Sequence, residues 1–289
     1  MPRIGDDHLE RAQTELGEPE LLFRISRQRF LAKLSLGLLL IGYGIVANYY
    51  WWLRGPATIG HLELLLLFVP PISGISLLWH MYRHRGLYVL IYPTGLLRLR
   101  RGEVLSFPWS DIDQLRVRMN RSEGPHLERD DRGELHSCWL AVDSPTFKLG
   151  DAGLTVVRTD GEEAHFGPAL SEYERLAEEV QKRTFAELWP RLLARFHSGE
   201  RISFGELDVT PQGFEHAGKR LSWRDVKELV VAQGKLSVKQ VGKWLPWALV
   251  DIGSVPNPHL LFALADEAHR HFAPPEAQPH DELTGSPDA

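Results

Sequence analysis

Two long charge-free stretches near the N-terminus constrain this chain more than anything else in it. Residues 34–53 run for 20 residues without Asp, Glu, Lys or Arg, and a helix of that length, rising 1.5 Å per residue, spans the roughly 30 Å of a bilayer's hydrocarbon core. Residues 64–81 add 18 more, preceded by the polar His61 and Glu63. Helices buried in a soluble core normally keep a polar stripe, and Leu62, Leu64, Leu65, Leu66, Leu67 and Phe68 leave none. The pattern predicts a transmembrane hairpin over residues 29–83, with spans at about 34–53 and 62–81. The first run is too long and begins too late for a cleaved signal peptide.

The flanks predict its orientation. Arg24, Arg27, Arg29 and Lys33 precede the first span and Arg83 and Arg85 follow the second, whereas the short connection holds only Arg54. Positive charge stays on the cytosolic side, so a multi-pass integral membrane protein with both termini cytosolic is expected; which membrane it occupies is not encoded. Tyr49, Tyr50, Trp51 and Trp52 at one end, and Trp79 and Tyr82 at the other, suit the two interfaces. Gly37 and Gly44 fall on one helix face, and Ser73, Gly74 and Ser76 offer small surfaces on the second helix for close packing. Pro70 and Pro71 predict a kink there. No Asp, Glu, Lys or Arg lies in mid-membrane in either span, which favours an anchor over a substrate path.

Beyond Arg85 the periodicity changes to short strands. Residues 87–92, 96–100, 104–107 and 112–117 are apolar and β-branched, punctuated by Pro93-Thr94-Gly95 and Arg101-Gly102. Residues 120–133 read as a solvated loop, after which 139–142, 154–158 and 163–166 resume as strands, the last two across the turn signal Thr159-Asp160-Gly161. A helix is expected over residues 171–196, broken or bent at Pro190.

The pattern then restarts. Val209-Thr210-Pro211-Gln212-Gly213-Phe214 echoes Ile91-Tyr92-Pro93-Thr94-Gly95-Leu96. Trp223, Asp225, Val226 and Leu229 repeat the spacing of Trp109, Asp111, Ile112 and Leu115. Strands over 230–232, 235–239 and 245–250 lead to a helix over 258–272, with Asn257 as its N-cap and Pro258 at its first position. The expected organisation is a cytosolic segment 1–28, the hairpin 29–83, a strand-rich unit 86–197 with a helical extension, a second unit 198–273, and a disordered acidic tail 274–289.

This α+β plan, antiparallel strands in a bent sheet or partly open barrel closed by a C-terminal helix, resembles the pleckstrin-homology-like fold, here twice. The layout as a whole also resembles an uncharacterised membrane-protein family classed as a domain of unknown function. The residues carrying that resemblance are Leu16-Gly17-Glu18-Pro19, the hairpin, the Pro-x-Gly and Trp-x-Asp-Ile/Val pairs, Phe204-Gly205 and Val255-Pro256-Asn257. Val255 stands where the family usually has isoleucine. The resemblance spans nearly the whole chain and implies no activity.

Candidate chemistry is sparse. An acid beside an indole can acquire a raised pKa, but a catalytic carboxylate is seldom needed twice at one place in a repeat, so both Trp-x-Asp sites read as structural turns. His269 and His271 form an HxH near a helix end without a further ligand motif, so no metal is expected, nor any other cofactor. The single cysteine, Cys138, excludes an internal disulfide and lacks a basic neighbour in sequence, so it reads as an inert thiol. Gly42-Tyr43-Gly44 lies within a span and cannot cradle phosphate. His280-Asp281-Glu282-Leu283 spells a retention signal but is followed by six residues. The net charge of −5 gives no footprint for nucleic acid.

Two groups remain as contact candidates. Arg83, Arg85, Arg98, Arg100 and Arg101 are candidates for lipid headgroups or the membrane surface. Lys243, Trp244 and Trp247 are candidates for a partner contact, unless both indoles belong to the core. The function expected is a non-enzymatic, membrane-anchored interaction or scaffold module binding inner-leaflet lipid or a protein partner. The alternatives are a membrane-surface enzyme with a site between the two units, and a small transporter subunit.

Overall fold

The structure, a computed structural model, describes residues 18–54, 61–84, 86–100, 103–118, 126–129, 135–137 and 153–272. Contacts divide the chain into two compact units: residues 1–112 with 166–176, and residues 113–165 with 177–289.

In the first unit, β1 (Leu21–Arg24) precedes two long helices, α1 (Arg27–Arg54) and α2 (His61–His84). Both are long and apolar enough to cross a membrane, and only 11% and 17% of their most apolar windows is buried. They pack on each other where the small residues lie. A Cβ on Gly37 would come within 2.9 Å of Leu78, one on Gly44 within 2.7 Å of Pro71, and one on Gly74 within 2.7 Å of the Gly37 carbonyl. Pro70 and Pro71 are accommodated inside α2, and Pro71 is spent on this contact. Their large side chains turn the other way: Leu39, Ile45, Val46, Trp52, Ile72 and Trp79 are exposed.

The chain continues into β2 (Leu87–Tyr92), β3 (Gly95–Arg100) and β4 (Glu103–Pro108), which with β1 form an antiparallel sheet in the order β1-β2-β3-β4. Cross-strand pairing aligns Ile91, Leu96 and Phe107, all fully buried, on one face. Leu90, Tyr92, Leu97 and Leu99 cluster on the other. A sheet buried on both faces explains why these strands are almost continuously apolar. A turn from later in the chain is tied in too: the Ser171 amide donates to the Arg24 carbonyl at 2.7 Å. A 3-10 turn at Trp109–Asp111 ends the meander, and the buried indole donates to the Tyr92 carbonyl at 3.2 Å.

The second unit opens with β5 (Ile112–Arg118), followed by β6 (His126–Arg129), β7 (Leu135–Ser137), β8 (Gly153–Arg158) and β9 (Glu163–Phe166). Strands β5, β8 and β9 form one sheet. The turn between β8 and β9 is held by Asp160, whose carboxylate accepts from Arg158 and from the Glu162 amide; these bonds hold its pKa down at about 2. Helix α3 (Tyr173–His197) then runs unbroken through Pro190, so that of the break or bend expected there the break does not occur. One missing amide does not end a helix of 25 residues whose buried side chains, among them Leu176, Val180 and Phe196, hold it along its length.

A second four-stranded meander follows: β10 (Ile202–Phe204), β11 (Leu207–Thr210), β12 (Gly213–His216) and β13 (Lys219–Ser222), paired in that order. Gly213 has φ of +148°, and a Cβ there would lie 1.9 Å from the Leu221 carbonyl oxygen, so only glycine fits. Gly205, at φ +75°, similarly lies against the Ser254 carbonyl. The 3-10 turn Trp223–Asp225 repeats the earlier local geometry, with its buried indole donating to the Thr210 carbonyl at 3.1 Å. Then come β14 (Val226–Ala232), β15 (Lys235–Gln240), β16 (Pro246–Asp251) and α4 (Pro258–Phe272).

The last sheet has the order β16-β15-β14-β6-β7, with Glu228 opposite Glu128 and Leu229 opposite Leu127. Residues 126–129 are therefore a paired strand, not part of a solvated loop: β14 has a free edge for hydrogen bonding and the segment fills it. Asn257 does more than cap α4. Its backbone carbonyl accepts from the Leu260 and Leu261 amides as an N-cap does, but its side chain reaches β5, accepting from the Leu115 amide at 2.7 Å and donating to the Asp113 carbonyl at 2.9 Å. The residue sits at φ +50°, which asparagine tolerates better than most. The architecture is α+β, an apolar helix pair followed by antiparallel sheets, and none of the sheets among the described residues closes into a barrel.

Candidate functional site

The connection between β15 and β16 forms a projecting tip. Val241 is anchored by its amide, which donates to the Asp225 carbonyl at 2.8 Å, and Gly242 adopts φ +71° to turn the chain. Lys243 donates its amide back to the Gln240 carbonyl at 3.2 Å. The turn therefore holds Lys243, Trp244 and Leu245 clear of the sheet. Trp244 is 94% exposed and Leu245 69%.

Beyond the turn the strand alternates. Ala248 and Val250 point into the core while Leu249 faces out, and Trp247, on the outward side with it, is half-buried with its ring 6.0 Å from that of His216. Strand β16 is also an edge of its sheet. Of the two indoles named from sequence, Trp244 is thus presented to the surroundings and Trp247 is partly packed. An indole with so little protein contact, next to a lysine and a leucine, has the composition of groups that partition to a membrane interface.

The arginine group is less exposed than the tip where it is described. Arg98 lies in β3 and is buried, Arg100 is half-buried at the end of the same strand, and Arg83 falls in the last turn of α2. Arg85 and Arg101 lie outside the described residues, as does Cys138. In the second meander the charges neutralise one another: Arg220 and Arg201 both reach Glu215, and Arg201 also binds Asp208.

Both Trp-x-Asp motifs are turns. The indoles are used as donors to backbone carbonyls, Ser110 donates to Asp111, and the Asp225 carbonyl receives the Val241 amide. His269 is buried and His271 exposed, the latter with Nδ1 3.1 Å from Glu267 Oε1. His259, which the sequence did not single out, is fully buried beside Phe185, with ring centroids 6.3 Å apart. Burial pushes its pKa down to about 3, so it is neutral across the physiological range.

No curated protein matches the chain, and no solved structure matches it. The stretch that does match a known family begins ahead of β8 and runs through α3, the second meander and the tip to the end of α4. Over residues 141–272, somewhat less than half of the chain, the sequence matches the model of a family of unknown function, DUF6585, in line with the uncharacterised family it resembles.

Proposed function

We propose that this protein is a membrane-anchored, non-enzymatic interaction module: α1 and α2 cross the bilayer with both termini on the cytosolic side, and the β15–β16 tip touches the membrane surface. The strand-rich parts are read as two pleckstrin-homology-like units, supported by the matching turns at Trp109 and Trp223. The observation that carries the proposal is outward-facing apolar surface. Both helices bury their small residues against each other and turn leucine, isoleucine, valine and tryptophan outward, which water does not favour and lipid does. The tip adds Trp244 and Leu245, flanked by Lys243 for anionic headgroups. Its support does not depend on the arginine group, of which Arg98 is buried.

The test places an environment-sensitive fluorophore on a Leu245→Cys variant of the full chain, in a Cys138→Ser background, reconstituted in phosphatidylcholine and phosphatidylserine vesicles. Lipids carrying a nitroxide on the acyl chain are expected to quench the label at 245 and not one at the exposed Lys227. Equal, weak quenching at both positions would remove the bilayer from the tip and leave a protein partner as its occupant.

A further inference from the structure

The C-terminal ends of α3 and α4 bring together three side chains whose chemistry is that of a metal site. His197 is the last residue of α3; Glu267 and His271 stand four apart on one face in the final turns of α4. Glu267 Oε1 is 3.1 Å from His271 Nδ1 and 3.9 Å from His197 Nε2, the two imidazole rings are 5.6 Å apart, and one ligand atom from each residue lies within 4.8 Å of the others. Around a tetrahedral zinc ion with bonds near 2.0–2.1 Å, ligand atoms are roughly 3.3 Å apart. One pair already meets that spacing, and small rotations of two exposed imidazoles would bring in the third atom.

The surroundings favour a cation. Both helices end here, and their terminal carbonyls carry partial negative charge. Glu267 is the most buried of the three, with its side chain 16% exposed, and its two oxygens are divided between tasks. Oε1 faces the histidines, while Oε2 lies 3.4 Å from Arg270, which binds Asp266 more closely at 2.7 Å. Arg270 therefore fixes the carboxylate from behind without occupying its metal-facing oxygen, the role that outer-shell partners take in metal sites.

We propose that His197, Glu267 and His271 bind a divalent transition-metal ion of the zinc type, with water completing the shell, and that the ion ties the end of α3 to the end of α4. Two imidazoles and one carboxylate suit zinc and its first-row neighbours, and do not suit magnesium or calcium, which take oxygen ligands. The HxH at His269 and His271 drew attention in the sequence for the wrong pair. His269 is buried, and the partner of His271 comes from far away in the chain.

The test uses the full chain in detergent, purified through a tag without histidine and stripped with chelator, then titrated with Zn2+ by calorimetry. A saturable 1:1 site is expected. His197→Gln and His271→Gln should each weaken it by more than the roughly 10–100-fold that loss of an outer-shell group costs, whereas His165→Gln, an exposed histidine on β9, should leave it intact. No binding by the wild-type chain, or equal binding by all variants, would overturn the proposal. Should either variant misfold, Co2+ titrated into the wild type decides the matter: strong visible bands of a four-coordinate ion support the site, and the weak spectrum of six-coordinate aqueous cobalt refutes it.

Discussion

In the helix pair the large apolar side chains point outward and the small ones inward; in the sheets the order is reversed. Gly37, Gly44 and Gly74 make the α1–α2 contact while Val46, Trp52 and Trp79 are exposed, whereas Ile91, Phe107, Phe214 and Trp223 are buried and charged residues cover the strands. In water the first arrangement wastes the hydrophobic effect; in lipid it does not, because lipid tails compete equally with apolar side chains and close backbone packing decides the interface. In the sheet-rich part the outward arrangement recurs at the tip, with Trp244 and Leu245. The proposal that lipid surrounds the helices and water the sheets rests on this difference.

The comparison is broken most forcefully at Trp223. Trp223→Ala should destabilise the folded chain by about 3–5 kcal/mol, as loss of a buried aromatic typically does, measured by denaturant unfolding in detergent. A change under about 1 kcal/mol would mean that this indole is not part of a packed core.

Acid offers a second break, spread over several pH units. His259 is buried neutral, with its pKa lowered to about 3 from 6.5, so the unfolded chain takes up a proton in acid before the folded one does. Its contribution is fully present above about pH 6.5 and is lost as pH falls from there towards 3, by up to about 1.4 kcal/mol per pH unit. His259→Leu should flatten the thermal midpoint over that window relative to wild type; an unchanged slope would assign the acid sensitivity elsewhere.

The smallest effect belongs to the tip. Trp244→Ala should leave stability within about 0.5 kcal/mol of wild type in the same unfolding experiment, the opposite of Trp223→Ala. A large loss would show that Trp244 packs against something in the folded chain.

Much of this was legible in the residues because it is local. A charge-free run long enough for a bilayer, glycines spaced to share a helix face, and a repeated Trp-x-Asp after a Pro-x-Gly turn each specify their own neighbourhood, and most strand and helix bounds expected among the described residues followed closely, the strand expected at 139–142 lying outside them. What was not legible depends on groups distant in sequence. The pairing of residues 126–129 with β14 answers to an open strand edge roughly a hundred residues away, and nothing in its polar composition announces it. Asn257 could be read as a helix cap, but not as the clamp on β5. His197 meets Glu267 and His271 only because two helices end side by side. Trp244 and Trp247 look alike in sequence, and their different exposure comes from one lying in the turn and the other in the strand.

The claim on which the rest depends is that α1 and α2 cross the bilayer. Single cysteines at Leu53, the C-terminal end of the α1 span, and at Ser198, just beyond α3, are introduced into the full chain in a Cys138→Ser background and exposed to a membrane-impermeant maleimide in sealed vesicles. The account predicts that one of the two positions is labelled while the vesicles are intact and the other only after permeabilisation; labelling of both from the same side would contradict it.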